Sequence, residues 1–295
     1  MSRVREASLR ATRRSGFAAT LPLLAALVVG CASALPDAPA QITVERDLAY
    51  VQRGDRWLQA DVYTPAGRGP FPAVVLVHGG SWKRGNKQRM AKIGERLAQR
   101  GYLAVSIDYR LAPENRFPAQ LHDCQAAVRW MRTNAERLRL DPARIAGFGY
   151  SAGAHLVALL ATTNDEDGLS EDLAPPAPDT RLQAAVLGAA PVDLAHFPSN
   201  AVFESVLGAS VAERPDLYAL ASPLTFVTPD DPPMFLYHGT DDWMVDSSQS
   251  HRMLEALERA RVPTAYYEMP GGHLATFLFD EEPVRRAIDF LDRWL

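Results

Sequence analysis

The stretch Ala73–Val77, AVVLV, constrains the fold more than any other part of this 295-residue chain. Five apolar residues in succession, with no polar alternation, suit a strand covered on both faces. Such a strand belongs in a parallel sheet with helices packed on either side. Similar short apolar runs return along the chain, at Leu103–Asp108, Arg144–Phe148, Ala184–Leu187, Met234–Tyr237 and Ala265–Met269. Helical spacing separates them, over Gln88–Arg100, Pro118–Arg139, Ala152–Ala161, Ser247–Arg261 and Pro283–Trp294. Two more strands, Thr43–Val51 and Trp57–Tyr63, precede the first buried one. The pattern predicts an α/β protein with a mainly parallel sheet. A hydrophobic content of 47% supports one large core, and the length allows one domain of catalytic size.

The first thirty residues do not fit this alternation. Five arginines between Arg3 and Arg14 form a basic head, and Phe17–Gly30 is uncharged, mostly apolar and short for a membrane span. Residues 1–30 therefore read as an export signal. Val28-Val29-Gly30-Cys31 resembles the lipobox of bacterial lipoproteins, which makes Cys31 the expected lipidation site. A signal cleaved near Ala32–Ala34 is the alternative. Residues 31–42 read as a tether, and residues 43–295 as the folded domain. Removing the signal takes five arginines and one glutamate from 31 basic and 35 acidic residues, leaving a net charge near −8. That balance argues against nucleic acid as a partner. Cys124, the only other cysteine, falls within an apolar helical pattern and reads as a core residue. An acidic, proline-rich loop over Asn164–Thr180 and an irregular segment over Ala195–Thr228 are the two places where a lid or small cap is expected.

Chemistry concentrates in GFGYSAGAH, Gly147–His155. A G-x-S-x-G motif alone is weak, but this one follows a strand pattern, RIAGF, and opens an apolar helix, AHLVALLA. That setting lifts Ser151 to the apex of a sharp turn, where it is a nucleophile candidate. A serine needs a base. Of seven histidines, His273 in MPGGHLATF lies on the loop between the last strand and the last helix, where it can reach over the sheet. The acid is expected after the strand MFLY, on a loop that offers Asp241, Asp242 and Asp246. Gly79-Gly80-Ser81 ends another strand, and the N–H groups of Gly80, Ser81 and Ala152 are the candidate donors to a substrate oxyanion.

Taken with DYRLAPE, FPAQLHD, GYSAGAH, HGTDDWMV and GGH, these stretches resemble the α/β-hydrolase superfamily. Within it they are similar to the esterase/lipase group that holds hormone-sensitive-lipase-like and feruloyl-esterase-like enzymes. The resemblance runs from about Val44 to the C-terminus. It implies an α/β-hydrolase fold with a mainly parallel central sheet and helices on both faces, and a serine carboxylesterase using an acyl-enzyme. The family's acid loop, H-G-x-x-D-x-x-V, places the acid at Asp242. Its usual third glycine in H-G-G-G is replaced here by Ser81. No metal or cofactor is implied. The expected substrate is a small-molecule or glycan ester, and the expected location is the bacterial cell envelope through a lipid anchor, with secretion as the alternative. A serine peptidase or amidase, or a non-catalytic envelope binding protein, would fit the same fold.

Overall fold

The computed structural model describes residues 41–171, 177–197, 200–274 and 281–295. The expected signal, Cys31 and most of the tether lie outside these residues. The domain opens with an antiparallel hairpin, β1 (Thr43–Arg53) and β2 (Arg56–Thr64), turned at Gly54, whose φ of 59° suits glycine. Six strands then run parallel to one another: β3 (Phe71–Val77), β4 (Leu103–Ile107), β5 (Leu140–Tyr150), β6 (Ala184–Gly188), β7 (Met234–Gly239) and β8 (Thr264–Met269). The spatial order is β1-β2-β4-β3-β5-β6-β7-β8. The fold is an α/β-hydrolase fold with a mainly parallel sheet.

Successive side chains of AVVLV enter different cores, as the period of two requires. Ala73, Val75 and Val77 join one apolar cluster, and Val74 and Leu76 join the other. The first cluster takes in α2 (Ala119–Thr133), α4 (Ala152–Thr162) and α7 (Ser248–Ala260), including Cys124. The second takes in α1 (Ala91–Gln99) and α8 (Glu282–Trp294). Every residue of α4 is buried, as its uniformly apolar sequence demands.

The structure differs from the sequence reading in one helix. Pro118–Arg139 is not continuous: α2 ends before Asn134, and a short α3 (Ala135–Leu138) closes on Arg139 in the left-handed region at φ 58°. No glycine or proline marks this break. Among the described residues of 195–228 two short α-helices form, α5 (Ala201–Leu207) and α6 (Pro215–Leu220), and α5 packs toward the loop after β3: the Phe203 and Trp82 rings lie 5.7 Å apart. In the acidic loop, Glu171 binds Arg53 through both carboxylate oxygens, at 2.5 and 3.0 Å. Residues 172–176 of that loop lie outside the described set.

Candidate active site

The carboxyl ends of β3, β5, β7 and β8 converge on one cleft, the place where open parallel sheets present ligand sites. Ser151 stands between β5 and α4 with φ 55° and ψ −124°, a strained conformation for a residue with a side chain. The turn closes because its flanking residues lack Cβ atoms. A Cβ on Gly149 would fall 2.3 Å from the Gly153 carbonyl oxygen, and one on Gly153 would fall 2.0 Å from the Val77 carbonyl oxygen. The Ser151 N–H donates to the Gly188 carbonyl at 2.8 Å, which ties the apex to β6.

His273 arrives on the loop after β8. Its Nε2 lies 2.8 Å from Ser151 Oγ, placed to accept the hydroxyl proton, and its Nδ1 lies 2.6 Å from Asp242 Oδ2, to which it donates. Ring and carboxylate are buried, at 4% and 5% exposure. The Tyr150 hydroxyl donates to the His273 carbonyl and so holds the loop from beneath. Of the three aspartates after β7, Asp242 alone meets the imidazole. Asp241 is exposed and braces the histidine loop, accepting from the Gly271 N–H at 3.2 Å. Asp246 accepts from the Ser248 N–H at the start of α7.

Asp242 also meets groups other than His273. Its Oδ1 accepts from the N–H groups of Met244 and Val245, at 3.0 and 2.9 Å. Its Oδ2 also lies 3.3 Å from Nε2 of His238, a residue with no solvent exposure. That nitrogen also faces the Val245 carbonyl at 2.8 Å. Both neighbours accept only, so His238 Nε2 carries the proton, and Nδ1 accepts from Ser250 Oγ at 2.7 Å. Burial works to raise the Asp242 pKa. Hydrogen bonds from His238, His273 and the Val245 N–H outweigh it and hold the carboxyl well below the usual carboxylate range. Sequence reasoning did not single out His238. A histidine inside the apolar strand end FLYHG, four residues before the acid, is the signal that marks it.

The loop after β3 lies directly over the elbow: a Cβ on Gly79 would come within 3.2 Å of Ser151 Cβ. Gly80 has φ 133°, and a Cβ there would fall 1.9 Å from the Arg84 carbonyl oxygen. Ser81 and Trp82 follow in the left-handed region, at φ 55° and 57°. Gly80 and Ser81 line the cleft with Ser151 and His273, while Ala152 begins α4 at the elbow itself. Among the described residues, the N–H groups of Gly80, Ser81 and Ala152 have no hydrogen-bond partner within the protein. Trp82 is fixed through His155, one turn into α4. The indole N–H donates to His155 Nδ1 at 3.2 Å, and His155 Nε2–H donates to the Ala221 carbonyl at 2.7 Å. Burial pushes the His155 pKa down to about 4, keeping it neutral as this bridge requires. Of the other four histidines, His78 is buried with Nδ1 on the Gly79 carbonyl at 2.9 Å, and three point elsewhere: His122 toward Glu171, His196 toward Arg252, His251 toward Glu268.

A serine raised on a strand–helix elbow, with an acid after β7 and a histidine after β8, defines an α/β-hydrolase. Residues 60–257 match the BD-FAE family model, and the chain belongs to the BD-FAE family. Two relatives from Mycobacterium tuberculosis are similar. Esterase LipC is 33% identical over 229 residues, covering 74% of this chain and 56% of LipC. The probable carboxylic ester hydrolase LipM is 31% identical over 242 residues, covering 76% and 54%. The chain thus spans about half the length of these relatives. Among solved structures, a truncated carbohydrate esterase from gut microbiota superposes with a TM-score of 0.75 at 28% identity, covering 87% of this chain and 97% of that one. A bifunctional GH43-CE protein of Bacteroides eggerthii gives 0.76 at 29% identity, covering 85% and 38%.

Proposed function

We propose that this protein is a serine carboxylic-ester hydrolase acting on short-acyl or glycan-linked esters. The observation that carries the reading is the unbroken relay from Ser151 Oγ through His273 to Asp242, at 2.8 and 2.6 Å. Ser151 attacks the ester carbonyl while His273 Nε2 takes its proton. Asp242 holds the tautomer and stabilises the imidazolium. The carbonyl oxygen, now negative, accepts from the N–H groups of Gly80, Ser81 and Ala152. His273 returns the proton to the leaving alcohol, and water, activated by the same imidazole, releases the acid from the acyl-enzyme.

The cleft is small, about 70 Å³. Drug-sized ligands occupy roughly 300–1,000 Å³, so the size supports acyl groups of roughly two to six carbons. Trp243, directly after Asp242, is 86% exposed, an aromatic face of the kind that sugar rings stack on. The names of the esterase relatives and of the carbohydrate esterase neighbour agree with this class. Residues 1–30 and Cys31 support anchoring in the cell envelope, with the domain outside the cytoplasm.

An organophosphonate probe tests the assignment. It is expected to label Ser151, and Ser151→Ala is expected to lose both labelling and ester turnover. Faster cleavage of an aminoacyl anilide than of the matching ester would make the protein an amidase instead. Faster turnover of a sixteen-carbon ester than of a four-carbon one would overturn the acyl-size reading. For the anchor, wild-type protein is expected to partition into detergent and Cys31→Ser to lose lipid incorporation. A wild-type chain beginning after Cys31 would make it a secreted protein.

A further inference from the structure

The oxyanion loop continues into WKRGNKQRMAK, Trp82–Lys92, which holds five cations and no carboxylate. Among the described residues, only one of the five is neutralised at close range. Lys87 is buried and lies 2.6 Å from Asp47, 3.4 Å from Asp61 and 3.8 Å from Asp108, where it anchors the segment to the sheet. Arg84 and Arg89 both line the cleft that contains Ser151 and His273. Both are exposed, and among the described residues neither guanidinium has an ion pair or a hydrogen bond within the protein. Among the described residues, no Asp or Glu lines that cleft.

Their positions are fixed by the backbone. The Gly80 carbonyl accepts from both the Lys83 and Arg84 N–H groups at 3.1 Å, which seats Arg84 against the oxyanion loop. Arg89 sits in the helical turn Lys87–Met90 between two buried residues, with its N–H on the Asn86 carbonyl at 3.1 Å. Its charge is near enough to the end of β3 to act on His78. Burial is the larger cause pushing that imidazole down to about 4, the hydrogen bond to the Gly79 carbonyl opposes it, and Arg89 adds to the lowering. Several arginines elsewhere take carboxylates: Arg100 binds Asp289 and Asp292, Arg214 binds Asp216, and Arg285 binds Glu282 and Asp289, while Arg139 and Arg259 meet carbonyl oxygens instead. Two unpaired guanidinium groups at the mouth of the active site are therefore a local excess of positive charge in an acidic domain. Guanidinium forks bind carboxylates in a directed, often bidentate manner.

We propose that Arg84 and Arg89 form a subsite for a carboxylate carried by the substrate, so that the preferred ester is anionic. This rests on the ester-hydrolase reading and adds a substrate class to it. The carboxylate belongs either to the acyl part or to the alcohol part. Two substrate pairs separate these: monoethyl adipate against diethyl adipate for the acyl side, and 4-acetoxybenzoate against its methyl ester for the alcohol side.

The quantity to measure is the ratio of kcat/KM for the charged ester to that for its neutral partner, in wild type and in Arg84→Gln, Arg89→Gln and the double variant. On one pair the double variant is expected to lower the ratio about tenfold, mainly through KM, with Arg→Lys at both sites restoring part of it. Raising the salt concentration is expected to lower the wild-type ratio and leave that of the double variant nearly level. Loss of the same factor on charged and neutral esters would mean that the arginines assist the oxyanion generally, and would overturn the subsite. A ratio that the variants leave unchanged on both pairs would overturn it as well. Binding to Ser151→Ala separates this failure from that of the parent reading. If wild type cleaves no ester, the hydrolase reading falls. If Ser151→Ala binds monoethyl adipate and 4-acetoxybenzoate no more tightly than their neutral partners, the subsite falls.

Discussion

The two halves of the site are built in different ways. The elbow and the loop over it are main-chain devices: close approaches at Gly149 and Gly153, positive φ at Gly80, Ser81, Trp82 and Ser151, and donors that belong to the backbone. The candidate acid and base are side-chain devices. Asp242 gathers hydrogen bonds from His273, Met244 and Val245, with His238 beside it, and Asp241 ties one loop to the other. The first half fails when volume is added. The second fails when a polar atom is removed.

The sharpest contrast is between adjacent aspartates. Asp242→Asn is expected to lower kcat by about 10⁴ on an activated ester, because the imidazole loses the partner that fixes its tautomer. Asp241→Asn is expected to cost less than about tenfold, since its carboxylate accepts from a loop N–H that an amide oxygen can also serve. Measuring kcat for both, with circular dichroism to verify native structure, checks this. An inactive Asp241→Asn beside an active Asp242→Asn would move the acid by one residue.

Acid pH separates the halves as well. His78 and His155, both beside the elbow, are buried, and their pKa values fall from 6.5 to about 4. Between those values the unfolded chain binds protons that the folded one does not. Stability therefore falls as pH drops from about 6.5 to 4, by at most about 3 kcal/mol for each imidazole. Asp242 acts lower: its folded carboxyl is shifted down from 3.8, so its contribution is present above that value and lost as pH falls below it. Urea midpoints at pH 7, 5.5 and 4.5 are expected to decline. His155→Gln, which can still bridge Trp82 and Ala221, is expected to flatten the decline. A midpoint constant between pH 7 and 4.5 would show that the two imidazoles are not held neutral.

The contrast also explains what was legible in the sequence. Strands covered on both faces announce themselves by composition, and Ser151 by its setting between strand and helix. His273 followed from its place after the last strand. The acid did not follow from the residues alone, because three aspartates share one loop and only their hydrogen bonds tell them apart. Motif resemblance, not chemistry, pointed to Asp242. The break at Asn134 carries no local signal, and the position of β4 between β2 and β3 is a property of the assembled sheet. His238 was hidden for a related reason: its role depends on Asp242, Val245 and Ser250 converging on one imidazole.

His238 offers a smaller test of the side-chain half. Replacing it with leucine leaves Asp242 without the nearby Nε2–H and leaves Ser250 and the Val245 carbonyl without that partner. A hydrogen bond to a charged group contributes about 1.5–3 kcal/mol, so kcat is expected to fall roughly ten- to a hundredfold. His238→Gln, which keeps an N–H donor, is expected to restore part of the rate. Equal loss in Leu and Gln would mean that the imidazole supplies volume rather than a proton for Asp242.

The smallest expected effect tests the main-chain half at Ser81. This residue holds φ 55°, a region that costs an L side chain about 1–2 kcal/mol and costs glycine almost nothing. Its proposed role uses only its N–H, which glycine also has. Ser81→Gly therefore relieves strain in the folded protein, while the freer unfolded chain offsets part of the gain, about 0.4–1 kcal/mol. A net rise in stability of roughly 0.5 kcal/mol is expected from the urea midpoint, with kcat on a short neutral ester within about threefold of wild type. Should kcat fall a hundredfold while stability rises, the Ser81 hydroxyl would be a working part of the site, and the division between a main-chain half and a side-chain half would fail at this residue.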